Sequence, residues 1–400
     1  MMSRTTRVLV VVGSRPEAIK LAPVVFALRR DPEHFECILG STGQQRDMIG
    51  PALAEFGLTA DFDLNVMRAK QSLAGLTSRL VVRLDTALGR LQPDWVLVQG
   101  DTTSALAGAV AAFYRKVPVG HVEAGMRSFD HFSPFPEEFN RRAITQCASA
   151  HFAATELSAG NLRTEGVPKS RIRVTGNTGI DALLWMRRQT TGDRSTLPPD
   201  LLARLQNRRL LFVTAHRREN FGRPLTNICR ALLTIARVAG DVVIVLPVHP
   251  NPEVKERVLS ILGEDPKVVL LAQQSYRTVV ELMDRAHLVL TDSGGLQEEA
   301  PAFGKPVLVL RENTERPEGV DAGAAKLIGT DHDAIVDHAL HLLRDRHAYA
   351  AMARVRHVYG DGLAAPRIVE ALAEDPLGSD AKPPAVEPLL AVGPQPGAKA

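Results

Sequence analysis

Residues 290–310 read LTDSGGLQEEAPAFGKPVLVL, two apolar runs around a segment of helical period. The first run begins at residue 288 and the second spans 307–310. Each is continuous rather than alternating, the pattern of parallel strands covered on both faces. Strand, helix and strand of this kind make one βαβ unit. The pattern recurs along the chain: short runs rich in Val, Leu and Ile stand at 7–12, 35–39, 95–99, 118–122 and 151–154, then at 210–214, 242–246 and 268–271, separated by segments of helical period. Alternation on this scale predicts an α/β fold with two Rossmann-like, doubly wound domains facing a central cleft.

The series breaks at RRQTTGDRSTLPPD, residues 187–200, whose Gly, Ser, Thr and paired Pro predict a loop or linker. With a hinge near TGNTG at 175–179, the chain divides into domains 1–175 and 176–355. Residues 375–400 are rich in Pro, Gly and Ala, and predict a disordered tail.

Composition narrows the class of function. The chain carries 48 Lys and Arg against 45 Asp and Glu, a formal charge of +3, with 5% aromatics and no long basic run. That is not the clustered basic face of a nucleic-acid binder. Cys37, Cys147 and Cys229 fit neither a zinc spacing nor a disulfide framework, which suits a reducing cytoplasm. No apolar run approaches the ~18 residues needed to span a membrane, and the N-terminal run is too short for a signal peptide.

Open α/β sheets bind ligands beyond the carboxyl ends of their strands. The segments there are GSRPEAIK at 13–20, GDTTS at 100–104, EAGMRS at 123–128, AHRREN at 215–220, PVHPNP at 247–252 and DSGG at 292–295. Arg15, Lys20, His216, Arg217 and Arg316 supply cations. Ser293, Gly294 and Gly295 open a helix, where free N–H groups and the helix dipole favour a phosphate; Ser293 as a plain N-cap is the alternative. Asp101, Glu123 and Glu137 supply carboxylates. Asp101 could simply cap a helix, and Glu137 or Glu138 could serve the dipole or pair with Arg141 and Arg142. Converging on a phosphate-binding cleft, three carboxylates suit proton transfer, because like charges raise each other's pKa. There is no HExxH, DxDxDG or paired-His set for a metal. The letters GDGLAA at 360–365 follow no strand and so make no nicotinamide site. Ser104, Ser128 and Ser293 lie in no nucleophile elbow.

VGSRPEAIKLAPV, VQGDTTSALAGA, GHVEAGMRS, PFPEEFNRR, TGNTGIDAL, TAHRRENFG, PVHPNP and TDSGGLQEEAPAFGKPVLVLRENTERPEG occur in this order over residues 11–319. Together they resemble the non-hydrolysing UDP-N-acetylglucosamine 2-epimerases. The resemblance implies the architecture of B-type glycosyltransferases, with a C-terminal helix at about 356–374 packing back on the first domain. It also implies a homodimer, no cofactor, and interconversion of UDP-GlcNAc and UDP-ManNAc. It gives Asp101, Glu123 and Glu137 the acid/base work and sets His216 against the departing diphosphate. Arg15, Lys20, His249, Ser293, Gly294, Gly295 and Arg316 form the polar shell of the UDP-sugar. Gln274 and Tyr276 read the uracil, and Glu299 grips the ribose. Glu298, about 100° around the helix from Glu299, is left for the dipole or a surface pair. Bacterial relatives bind a second, activating UDP-GlcNAc; Gln44, Arg46, Lys70 and Arg217 could build such a site. Here Gln45 stands where the family more often has His, and Lys70 where some members have Arg. A hydrolysing 2-epimerase, an inverting UDP-sugar glycosyltransferase and a UDP-sugar-binding regulator are the competing readings.

Overall fold

This computed structural model describes residues 5–190, 195–354 and 357–374; the predicted tail at 375–400 lies outside them. Strand β1 (Thr6–Val12) shows how sequence sets the layers. Side chains alternate across a strand. Val8, Val10 and Val12 therefore enter one core, under the helix Arg15–Arg29, while Leu9 and Val11 enter another, under the helices Leu73–Leu91 and Thr103–Tyr114. Cover on both faces is why the run is apolar throughout.

To one side of β1 lie β2 (Phe35–Ser41) and β3 (Phe62–Asp63). To the other lie β4 (Trp95–Gln99), β5 (Val119–Ala124), β6 (Ala150–Ala153) and β7 (Ile172–Val174), all parallel. A second parallel sheet contains β8 (Arg209–Thr214), β9 (Val242–Pro247), β10 (Val268–Leu271), β11 (Ala286–Thr291), β12 (Val307–Val309) and β13 (Ala325–Leu327), in the order β10-β9-β8-β11-β12-β13. Both sheets wind outward from their first strand, so each has a switch point beside it, between β1 and β4 and between β8 and β11. The two doubly wound sheets match the sequence expectation. The edge strands β3, β7 and β13 were not foreseen; at two or three residues each they are too short to show a period.

The helix Leu73–Leu91 illustrates the local rules. Leu76, Leu80, Leu84 and Leu88 recur every fourth residue and are buried, the Ser72 hydroxyl accepts the Gly75 N–H at 3.1 Å, and Gln92 ends the helix in the left-handed region at φ 46°. Apolar spacing picks the buried face, and the Ser cap satisfies an otherwise orphaned donor.

The core containing Val8 and Val10 continues past the first sheet. It runs through Ala182, Leu183 and Met186 of the helix Thr178–Gln189 to Phe212, Val243 and Val289 of the second sheet. That helix packs on both Arg15–Arg29 and Tyr276–Arg285. The helix Ala364–Ala373 returns to pack on Arg15–Arg29, burying Ala365, Ile368 and Leu372. The polar stretch 187–200 departs from a free linker. The helix Thr178–Gln189 runs into it and the helix Pro199–Leu205 leaves it. Between them the Ser195 hydroxyl, Thr196 N–H and Thr196 hydroxyl donate to the buried Glu281 carboxylate at 2.6, 2.7 and 3.0 Å. Ser195 and Thr196 thereby satisfy a buried charge. Among the described residues, no helix is long and apolar enough to cross a membrane.

Asp181 accepts the backbone N–H groups of Ala364 and Ala365 at 3.2 and 2.9 Å, and so fixes the start of the returning helix. Removing such a cap costs about 1 kcal/mol. In Asp181→Ala, amides of residues 367–373 are expected to exchange with deuterium about fivefold faster, while exchange in β1 and β4 stays as in the parent protein. Equal protection of the helix in both proteins would deny Asp181 this role.

Candidate active site

The first strand end to consider is that of β5. Its register against β6 shifts between Val122 and Ala124, and Glu123 sits in the bulge at φ 63°. A left-handed Glu is strained by about 1 kcal/mol or more, and a bulge re-aims its side chain. Here the carboxylate meets Gln99 Nε2 at 3.0 Å and Lys20 Nζ at 2.5 Å. Lys20 Nζ lies 3.4 Å from Glu298 Oε2, which belongs to the helix Gly294–Glu299 after β11. Glu298 also accepts from Asn177 Nδ2 at 3.0 Å and Arg316 Nε at 2.6 Å. The side chains of Lys20, Glu123 and Glu298 are only 13, 10 and 2% exposed. Glu298 is thus no surface pair, contrary to expectation: it joins the two domains. Burial pushes the Glu123 carboxyl above its ordinary range; Lys20 draws it back down, and the Glu298 charge raises it again. Burial disfavours the Lys20 ammonium, but Glu123 and Glu298 together outweigh that and hold it charged. Lys20 and Arg316, expected to face a phosphate, are thereby committed to carboxylates.

Asp101 follows β4. Its carboxylate Oδ2 takes Arg141 Nε and Nη2 at 2.9 and 2.8 Å, and its carbonyl accepts from Asn140 Nδ2 at 2.7 Å. It does not cap the next helix; the Thr102 hydroxyl does, accepting the Ala105 N–H at 3.0 Å. Glu137 opens the helix Glu137–Cys147. Burial and then the nearby Asp101 charge raise its pKa, against the pull of Arg141 and Arg217. The structural bonds expected of either glutamate fall to Glu138, which accepts from Ser128 N, Phe129 N, Arg141 and Arg142 at 2.9, 3.3, 3.1 and 3.3 Å. Burial opposes its ionisation, but these donors prevail and hold its pKa below the usual value. Two carboxylates therefore have raised pKa values: Glu123 in the bulge that ends β5, and Glu137 at the start of the next helix, near Asp101.

On the second sheet the organising group is Asp292, fully buried after β11. Its Oδ2 accepts His216 N, Arg217 N and Asn220 Nδ2 at 2.8, 2.8 and 2.9 Å, and its Oδ1 lies 3.2 Å from His216 Nδ1. Burial lowers the pKa of His216, with Asp292 opposing. His249 Nδ1 accepts the Asn251 N–H at 3.2 Å in the turn after β9. The Ser293 hydroxyl makes no capping bond, so its reading as a plain N-cap falls. The two glycines after it differ. A Cβ on Gly294 would come within 2.5 Å of the Arg316 guanidinium, whereas one on Gly295 would meet open space. Gly294 makes room for an internal cation; Gly295 is the one open to a ligand. Glu299 accepts the Tyr276 hydroxyl at 2.9 Å, and burial pushes its carboxyl up to about 7. The Tyr276 ring stacks on Phe56 and is 5% exposed, leaving little free face for a base. Arg15 Nη2 donates to the Gln274 carbonyl at 3.0 Å across the cleft.

Several residues that build the site were missed. Glu55 accepts Tyr276 N and Arg277 N at 3.0 and 2.7 Å from the opposite domain. Glu17 ties two strand-end loops together, accepting Gly13 N at 2.9 Å and the Thr102 hydroxyl at 2.7 Å, with burial raising its pKa to about 7. Asp292 alone left a signal, an acid directly after a buried strand. The residues expected to build a second nucleotide site hold separate partners: Gln44 accepts from Ser104, Arg46 reaches Asn65 and Arg217 lies 3.6 Å from Glu315, while Lys70 is exposed at φ 52°. A cavity of 580 Å³ between the domains is lined by Glu298, Arg316, Asn177 and Tyr359, but not by Asp101, Glu137, His216 or Ser293. Among the described residues, no group of three or more His, Cys, Asp or Glu side chains is arranged to hold a metal.

The family profile described as UDP-N-acetylglucosamine 2-epimerase matches residues 27–373. The UDP-N-acetylglucosamine 2-epimerase of Escherichia coli K12 is 50% identical over 369 residues, covering 92% of this chain and 98% of that protein. Among solved structures, the Neisseria meningitidis UDP-GlcNAc 2-epimerase bound to UDP-GlcNAc aligns with a TM-score of 0.85 at 40% identity, over 92% of this chain and 100% of the other. The Methanocaldococcus jannaschii enzyme in complex with UDP-GlcNAc and UDP aligns with a TM-score of 0.77 at 30% identity, with the same coverage. The glycosyltransferase SnogD of Streptomyces nogalater, at 18% identity and a TM-score of 0.60, shares the fold.

Only the Asp292 charge offsets the effect of burial on His216 to a large degree. In Asp292→Asn, the His216 ring protons are expected to titrate by NMR at lower pH than in the parent protein, itself below 6.5. The loss of a charged acceptor serving three donors should also destabilise the fold by about 2 kcal/mol or more in urea. An unmoved titration would show that Asp292 does not tune the imidazole.

Proposed function

We propose that this chain, which belongs to the UDP-N-acetylglucosamine 2-epimerase family, interconverts UDP-GlcNAc and UDP-ManNAc without releasing free sugar. The observation that carries this reading is Glu123, a buried carboxylate on strained backbone, placed between its own domain's Gln99 and Lys20 and the other domain's Glu298. A group held this way suits proton transfer in an enclosed cleft.

The C2–H of a glycosyl unit is not acidic by itself. As UDP leaves C1, positive charge builds there and acidifies C2. A carboxylate takes the C2 proton while the C1–O electron pair departs with the β-phosphate oxygen, giving 2-acetamidoglucal and UDP. Re-addition forms the C1–O bond again and delivers a proton to the opposite face of C2. The oxidation level never changes, so no redox cofactor enters the balance. Glu123 and the Asp101–Glu137 pair are the proton-handling groups, at different strand ends, so two faces can be served. His216, Arg15, Ser293 and Gly295 receive the diphosphate charge as it develops. Glu299 takes the ribose diol, and the turn at 274–276 reads the base. Domain 176–355 is on this reading the nucleotide half, closing on 1–175. Gln44, Arg46, Lys70 and Arg217 are the groups from which a second, regulatory nucleotide site would be assembled. The three unpaired thiols suit a cytoplasmic setting. Phe113 and Tyr114, 54 and 71% exposed, are apolar surface that a second copy in a homodimer would cover.

Incubation with UDP-GlcNAc in D₂O is expected to yield UDP-ManNAc one mass unit heavier, with deuterium at C2 by NMR. Absence of deuterium from both product and recovered substrate would sink the mechanism. Accumulation of free N-acetylmannosamine and UDP would select the hydrolysing branch instead.

Ribose hydroxyls donate best to an ionised carboxylate. With the Glu299 carboxyl raised to about 7 by burial, UDP affinity is expected to rise with pH from about 6 to 8 as this group ionises. In Glu299→Gln the rise should flatten by calorimetry; a rise of the same size in both proteins would remove Glu299 from the ribose site.

A further inference from the structure

We propose that Glu298 is a positioning residue for proton transfer at Glu123, acting across the domain cleft through the Lys20 ammonium that both carboxylates share. This rests on the epimerase reading above and extends it to a residue that touches no reacting atom.

Lys20 and Glu123 belong to the first domain, Glu298 and Arg316 to the second. Both oxygens of Glu298 are committed: Oε1 to Arg316 Nε at 2.6 Å, and Oε2 to Asn177 Nδ2 at 3.0 Å and Lys20 Nζ at 3.4 Å. Asn177 stands at the hinge, where its own Oδ1 accepts the Gly179 N–H at 2.8 Å and caps the helix Thr178–Gln189. Glu298 is therefore aimed by the hinge and by Arg316 before it meets Lys20. The groups acting on Glu123 are Lys20 from the helix Arg15–Arg29, Gln99 from β4, and Glu298 and Arg316 from the second domain.

One ammonium serving two carboxylates has a definite consequence. With Glu298 withdrawn, Lys20 belongs to Glu123 alone, and a tight ion pair makes that carboxylate a weak base. With Glu298 docked, part of the ammonium's field is taken up and a like charge stands nearby, so Glu123 holds a proton more strongly. Arg316 balances Glu298 and keeps the docked arrangement from repelling itself. The base gains strength in the closed arrangement, the one that encloses a substrate.

The test compares the parent protein with Glu298→Gln, which keeps shape and acceptor and removes charge. Parent activity is established first, by C2 deuterium exchange in UDP-GlcNAc; its absence would defeat the epimerase reading itself and not this refinement. Given exchange, the acid limb of kcat/KM in Glu298→Gln is expected to move to lower pH, with the plateau rate down about tenfold or more. UDP should bind within about threefold of the parent. Glu298→Asp, which restores the charge, should bring the limb back toward the parent value. An acid limb that coincides with the parent's would overturn the proposal, whatever the rate. Should Glu298→Gln not fold, Asn177→Ser carries the test: it keeps a cap acceptor and drops the amide donor to Glu298, and should move the limb the same way by less. A limb unmoved there would equally overturn it.

Discussion

The Lys20 ammonium is the point on which the two halves of the molecule agree. It lies 2.5 Å from a carboxylate of one domain and 3.4 Å from a carboxylate of the other. A buried charge is tolerable only when paired and hydrogen-bonded, and the second half of that pairing comes from the other domain. A purely apolar seam would hold them as well, but it slides. An ion chain of Glu123, Lys20, Glu298 and Arg316 has one register, so it fixes where the strand ends of one sheet stand relative to those of the other.

Around that chain, apolar packing supplies the bulk of cohesion. The cluster that starts with Val8 and Val10 and ends with Phe212 and Val289 passes through the helix Thr178–Gln189. That helix starts at Asn177, which also holds Glu298. The residue that begins the connecting helix thus helps aim the carboxylate that crosses the cleft, so packing and electrostatics share one anchor. The returning helix Ala364–Ala373 packs on Arg15–Arg29, the helix that carries Lys20, and supports it from behind.

The two edges of the cleft are built differently. On the first, acids organise the edge: Glu138 holds its loop, Glu17 ties two turns together, and Glu123 is held in a bulge. On the second, one buried acid, Asp292, organises three donors and sets the imidazole of His216. Burial raises the acids on the first edge and lowers the histidine on the second. Burial thus favours the protonated form of the acids and the neutral form of the imidazole.

Much of this was legible in the residues. Continuous apolar runs declared ten of the strands and their parallel pairing, because burial on both faces leaves no polar period; β3, β7 and β13 escaped since two or three residues carry no pattern. Asp101 and His216 stood out in the sequence because each follows a buried strand, Glu123 because it ends one, and Glu137 because it opens a helix. Position along the chain also indicated that residues 293–299 open a helix at the cleft. Sequence could not tell that Glu298 faces inward while Gly294 clears space for Arg316, or that Asp292, Glu55 and Asn177 hold the site in place. Those roles depend on atoms distant in sequence, 72 residues apart for Asp292 and Asn220 and 278 for Glu298 and Lys20, meeting at 2.9 and 3.4 Å, and on which of two adjacent glutamates the helix turns toward a partner domain. Local order sets which groups are available at each strand end; only the packing of one domain against the other decides that Glu123 and Glu298 share a cation.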